Sequence, residues 1–271
     1  MMAASTRARR RGEKVLPAVH PNVGLEVEYR RRLQRLIAEM DHSFRYWLAA
    51  TYKANEPVMA QDEPTPAVRL RVAVNKLARR WQKRFDVAAD ELAEYFATAI
   101  EDRSSRTLRR ILKKGGYTVR FKMTKAMRDV MKATIAEQVG LIKSIPQQYL
   151  VNVQGAVMRS VTAGRDLESL TKEIKQQYGV AHRRAALIAR SQNNMATANM
   201  TRVRQTEAGI TEAVWLHSLA GKEPRPSHLA NNGKRYSVTS GWWDPDEKKW
   251  ILPGQLINCR CTSKPVVKGF S

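Results

Sequence analysis

The side chains best able to bind a metal, act as a nucleophile or anchor a small core gather between Trp215 and Cys261. The stretch holds His217 and His228, both cysteines of the chain (Cys259 and Cys261), and Trp215, Trp242, Trp243 and Trp250. Structural zinc sites take four Cys or His ligands, usually with paired spacings such as Cys-x₂₋₄-Cys. Here the cysteines form a tighter Cys-x-Cys, and Pro224 and Pro226 separate the two histidines. The set His217, His228, Cys259 and Cys261 is therefore the minor alternative, and the expectation is no bound metal and no cofactor. The cysteines are expected to be small buried packing residues, with His228 and Arg225 hydrogen-bonded to loop backbone. A thiol nucleophile would need an ionised sulfur, a base and an orienting third group. His228 with Asn231 or Asn232 is the set that can be drawn, but these residues share one short loop and no oxyanion hole is legible. No catalytic residue is expected, and no phosphate-binding loop, dinucleotide fingerprint or His-Glu-x-x-His pattern occurs.

The same stretch is rich in Gly and Pro, which marks a compact, turn-rich module. Its two ends read as short strands. AVWLHS (213–218) and CRCTSKPVV (259–267) are natural antiparallel partners. Alternation would then place Cys259 and Cys261 on one face toward Trp215, with Arg260 on the other.

Upstream elements read as helices that position this module. Apolar residues recur at three- and four-residue steps from Leu25 to Ala54, and again from Ala67 to Lys114. NEPVMAQDEPTP (55–66) lies between them as a linker, and Gly115-Gly116 is a C-cap signal. YTVRFKM (117–123) alternates like a short strand. Thr124 is placed to cap a helix running to about Ile145, with Pro146 opening the next. Gly179 and Gly209 are read as helix ends. The fold class is α+β: a mostly helical body with a small C-terminal Trp-rich module of short strands. The expected division is a basic disordered tail over 1–20, a helical domain over 21–163 and the terminal module over 164–271.

Charge points to the partner. The 271 residues carry 48 Lys and Arg against 25 Asp and Glu, a formal charge of +23. Such a field favours nucleic acid, anionic lipid or an acidic protein surface. No apolar run approaches the length of a membrane span, so no membrane span is expected. Candidate contacts for DNA or an acidic partner are Arg7, Arg9, Arg10 and Arg11 in the tail, and Arg106, Arg109, Arg110, Lys113 and Lys114 further on. Two cysteines give no disulfide framework, which fits synthesis in a reducing cytoplasm.

The order GRDLESLTKEIKQQYG, RRAALIARSQNN, AGITEAVWLHS, GKEPRPSHLANNGK and PGQLINCRC resembles the phage Mu F-like minor head (head morphogenesis) proteins, over about Gly164 to Pro265. The closing Pro253, Gly254, Asn258, Cys259, Arg260 and Cys261 are the strongest single part of the resemblance. Arg190, Gly209, Trp215, Arg225, His228 and Gly233 also fall where that family places them. Ala220-Gly221 departs from it, since many relatives carry an acidic residue there. The resemblance implies a structural minor capsid protein of a tailed bacteriophage, not an enzyme. It implies action in head (procapsid) assembly near the portal and packaged double-stranded DNA, at few copies per head. Implied partners are the portal protein, the major capsid or a scaffold protein, with residence in the virion and, during assembly, the host cytoplasm. The alternatives are a sequence-independent DNA-binding protein and a cysteine-dependent enzyme.

Overall fold

The structure, a computed structural model, describes residues 12–54, 66–162, 167–219 and 223–268. It is mostly helical, with short antiparallel strands concentrated toward the C-terminus. A first strand β1 (Glu13–Val15) is followed by helices α1 (Val23–Ala54), α2 (Pro66–Lys114), α3 (Lys125–Thr162) and α4 (Leu167–Glu207). Strand β2 (Glu212–Leu216), the short helix α5 (Pro226–Ala230) and strands β3 (Arg235–Ser237), β4 (Trp242–Asp244), β5 (Lys249–Ile251) and β6 (Thr262–Lys268) complete the chain.

The helix boundaries follow local chemistry where a cap is present. Gly116 adopts φ 98° after α2, and the Tyr117 amide reaches back to the Leu112 carbonyl at 2.9 Å, a glycine-closed end. The Thr124 hydroxyl accepts the Met127 amide at 3.2 Å, so the expected N-cap of α3 is present. Gly209 closes α4 with φ 72°.

Two expected breaks do not occur. Pro146 lies inside α3, and Gly179 inside α4. In both places one apolar stripe continues across the weak position: Ile142, Ile145, Tyr149 and Val153 around the proline, and Ile174, Ala181 and Ala185 around the glycine, all buried. Burial of that stripe outweighs the roughly 1 kcal/mol that a mid-helix glycine costs and the roughly 3 kcal/mol of a proline.

Two compact units result. One gathers the described parts of Met1–Asn22, Thr98–Lys132 and Ser191–Ser271; the other comprises Val23–Ala97 and Ala133–Arg190. This differs from the division expected at 163/164, because α2, α3 and α4 each contribute residues to both units, and the N-terminal half of α4 belongs to the helical one. The helical unit buries Leu33, Ile37, Met40 and Phe44 of α1, stacks Tyr29 on Phe96 at 4.0 Å, and packs Phe44 edge-on against Tyr149. Asp41, buried there, accepts from the Tyr149 hydroxyl at 3.0 Å and pairs with Arg45 at 2.7 Å. Burial raises its carboxyl above the ordinary carboxylate range, although Arg45 and Tyr149 oppose the shift.

The other unit is built on a four-stranded sheet of order β1-β6-β2-β3, with β4 and β5 as a separate hairpin. The expected pairing of the module's ends is present: β2 runs antiparallel to β6 with Trp215 opposite Ser263 and Leu216 opposite Thr262. The expected tail over 1–20 is corrected in its second half. Glu13–Val15 pair with Val266–Lys268, and Leu16, Ala18 and Val19 are buried. Those apolar side chains find a core beside the sheet, and the Leu16 amide bonds the Pro265 carbonyl at 2.9 Å. Pro265 is tolerated in this inner strand because its missing N–H faces the β1 side, at the point where β1 ends. Arg7, Arg9, Arg10 and Arg11 lie outside the described residues, as do linker residues 55–65 and Ala220-Gly221.

The segment Tyr117–Met123 forms no strand. Its aromatic residues pack against the sheet core instead, and its polar backbone is taken by side chains and single contacts. Arg204 donates to the Lys122 carbonyl at 2.6 Å and Arg128 to the Met123 carbonyl at 2.9 Å, while the Tyr117 hydroxyl donates to the Lys268 carbonyl at 2.6 Å.

Candidate functional site: a buried His-Cys-Cys cluster

Trp215 is the centre of the sheet unit's core. It is fully buried, with His228, Tyr236 and Trp242 placed edge-on at 5.2, 5.8 and 5.9 Å between ring centroids. Leu16, Leu108, Leu112, Ile210 and Ile251 join the same core, and so do Cys259 and Cys261. Both cysteines are unbridged and buried, and Arg260 between them is half-buried.

Three elements deliver the cluster. His228 sits on α5, a single turn opened by Pro226, which needs no amide at the first helical position. The cysteines sit in the extended segment that enters β6, fixed by Asn258 at φ 62° and by the Cys259 amide bonding the Leu256 carbonyl at 2.9 Å. Asn194 of α4 donates to the Cys259 carbonyl at 3.2 Å. Gly254 holds φ 81° where a Cβ would lie 2.8 Å from Ala198 Cβ and 3.3 Å from the Cys261 carbonyl oxygen. Pro253, beside it, is buried.

The resulting geometry is compact. His228 Nδ1 lies 3.5 Å from Cys259 Sγ and 3.6 Å from Cys261 Sγ, and one donor atom from each residue lies within 4.8 Å of the others. On the far side of the ring, Nε2 lies 3.4 Å from Asp244 Oδ2, close but without hydrogen-bond alignment. Asp244 is fully buried. Its Oδ1 accepts the Asp246 amide at 2.9 Å, and its Oδ2 accepts the Ser227 hydroxyl at 3.2 Å. The two thiols share one environment unequally: the contact from Cys261 holds Cys259 below the ordinary thiol range, and the same contact together with burial pushes Cys261 above it.

His217 does not join the group. Its Nδ1 accepts the Leu219 amide at 3.1 Å, and its own amide bonds the Asn232 side chain at 3.0 Å. It lines the same cavity of about 360 Å³ onto which His228 and both cysteines open. Arg225 donates to the Ile257 carbonyl at 3.2 Å, which ties the start of α5 to the segment preceding the cysteines. Gly233, at φ 79°, bonds the Trp215 carbonyl through its amide at 2.7 Å. The amide of Asn258 contacts the Ser191 hydroxyl at 3.4 Å.

Asp244 is the buried neighbour of the cluster that sequence reasoning missed. Its signal is the Asp-Pro-Asp turn after Trp242-Trp243, since an Asp side chain bonding backbone two residues on is a turn device. Nothing in the spacing pairs it with His228.

The basic candidates lie elsewhere in the same unit. Arg106, Arg109, Arg110, Lys113 and Lys114 are exposed on the last turns of α2. Arg106 pairs with Asp102, and Arg109 lies over the Phe121 ring at 6.0 Å. Among the described residues, no helix is long and apolar enough to cross a membrane.

Comparison with known proteins bears on the same region. A family model described as phage Mu protein F like protein matches residues 151–264. An uncharacterized protein of Haemophilus influenzae (strain ATCC 51907 / DSM 11121 / KW20 / Rd) is 35% identical over 139 residues, which covers 51% of this chain and 30% of that protein. The chain thus matches under a third of that relative's length. No solved structure matches. The match to the phage Mu protein F like model, over residues 151–264, encloses α5, the hairpin and the whole His228–Cys259–Cys261 cluster.

Proposed function

We propose that the chain is a structural minor head protein of a tailed bacteriophage, acting in head assembly next to the portal and the packaged DNA, with no reaction of its own. The observation that carries this reading is the family match over 151–264. Charge supports the placement. A formal +23 suits a neighbour that is a polyanion, either DNA or an acidic portal or scaffold surface. The exposed Arg106, Arg109, Arg110, Lys113 and Lys114 offer such a neighbour one continuous helical segment. Trp243 and Trp250, stacked edge-on at 6.0 Å and 47% and 59% exposed on the β4–β5 hairpin, suit docking to a protein surface.

The test is genetic. Removing the coding sequence from the phage genome that carries it should reduce DNA-filled heads, and supplying the chain in trans should restore them. Supplying it with Arg106, Arg109, Arg110, Lys113 and Lys114 changed to Glu should restore fewer. Normal numbers of filled heads without the chain would overturn the reading.

A further inference from the structure

We infer that His228, Cys259 and Cys261 form a zinc site with three protein ligands and a water in the fourth position. This goes beyond the assembly role and does not depend on it.

The distances carry the inference. Zinc bonds of about 2.3 Å to sulfur and 2.0–2.1 Å to imidazole nitrogen, at tetrahedral angles, set the sulfur and nitrogen about 3.5–3.6 Å apart. His228 Nδ1 lies 3.5 and 3.6 Å from the two sulfurs. Packing alone gives no reason for that symmetry. Nε2 faces the Asp244 carboxylate at 3.4 Å, so the tautomer with its proton there turns the Nδ1 lone pair toward the cysteines. One lone pair cannot accept well from two thiols at once, but it can share a metal with both sulfurs. A thiol nucleophile would likewise want one sulfur on the ring, not two at equal distance.

Asp244 is the second, independent observation. A ligating imidazole typically has its other nitrogen against a carboxylate, which fixes the tautomer and strengthens the donor. Asp244 is fully buried in that position and is held on both oxygens by Ser227 and the turn backbone.

Charge balances as well. Zinc displaces one proton from each thiol to solvent, and Zn²⁺ with two thiolates and a neutral imidazole adds no net charge beside the buried Asp244 carboxylate. The fourth position opens on the cavity of about 360 Å³. His217 lines it, but its Nδ1 is engaged by the Leu219 amide, which leaves the ring proton on Nε2. That nitrogen has no lone pair to give, so water completes the set. The metal would tie α5 to the entry of β6 across 31 and 33 residues of sequence.

Elemental analysis of the full chain, purified reduced and without chelator, should find about one zinc per chain. Cobalt exchanged into the wild-type protein should give the strong visible bands of a four-coordinate site and the ultraviolet charge transfer of thiolate ligands. Cys259→Ser and Cys261→Ser should each lose the metal, and His217→Ala should keep it. Should the cysteine variants fail to fold, the wild-type cobalt spectrum still decides. A wild-type chain that holds no zinc and shows no thiolate charge transfer with cobalt overturns the site. So does zinc fully retained when both cysteines are serine. Loss of the metal in His217→Ala would overturn the water-filled fourth position.

Discussion

Arg204 is the residue whose replacement should reveal most about what holds the sheet unit together. It is 3% exposed near the end of α4, and all of its donor nitrogens are engaged. Its guanidinium reaches Glu101 at 2.5 Å, Glu207 and the Ser105 hydroxyl at 2.8 Å, and the Lys122 carbonyl at 2.6 Å. One side chain thus joins α2, the segment before α3 and the end of α4. The Arg204→Met variant keeps the aliphatic bulk but leaves two carboxylates, 13% and 19% exposed, without their shared cation. Breaking a buried pair in this way costs about 3–5 kcal/mol. The lower end applies here, because Ser105 still donates to Glu101 and Thr124 to Glu207. Urea unfolding followed by tryptophan fluorescence reads the loss directly, since Trp215 is buried in the same unit. The double variant Arg204→Met/Glu101→Gln should recover about 1 kcal/mol or more, as neighbours in one network couple. A loss below about 1 kcal/mol in Arg204→Met, or no recovery in the double variant, would refute the view that this network is a charge-balanced tie.

Leu16→Ala should cost about 2–4 kcal/mol in the same assay, since Leu16 is 3% exposed and packs at Gly115; a neutral outcome would show that the N-terminal strand is not part of the fold. Gly254→Ala should cost about 2–4 kcal/mol, combining φ 81° with a 2.8 Å approach to Ala198 Cβ. Adding Ala198→Gly should return the steric part alone, and no gain from it would mean that this contact is not the cause.

The helical body and the pairing of β2 with β6 were legible in the sequence because each rests on a local period: three and four along α1 and α2, two along 213–218 and 259–267. Pro146 and Gly179 misled for a physical reason. Local propensity marks them as breaks, whereas the buried stripe that overrides them comes from packing against other helices. The N-terminal strand escaped notice because Glu13–Val15 is too short to show a pattern, and its strand partner lies some 250 residues away in sequence. The His-Cys-Cys cluster was half legible. Residue types gave the candidate ligands, but Cys-x-Cys spacing argued against a metal, and His217 was grouped with the rest on type alone. The separation of His217 from the cluster depends on where the Leu219 amide points. The role of Asp244 depends on a turn that folds it back behind α5. Neither is written in spacing.

The central claim is that this chain is a minor component of a phage head. Quantitative mass spectrometry of purified, nuclease-treated heads tests it most directly. The account predicts that the chain is present, at a small fraction of the major capsid protein's copy number. Its absence from heads at every stage of assembly, or a copy number equal to the major capsid protein's, would contradict it.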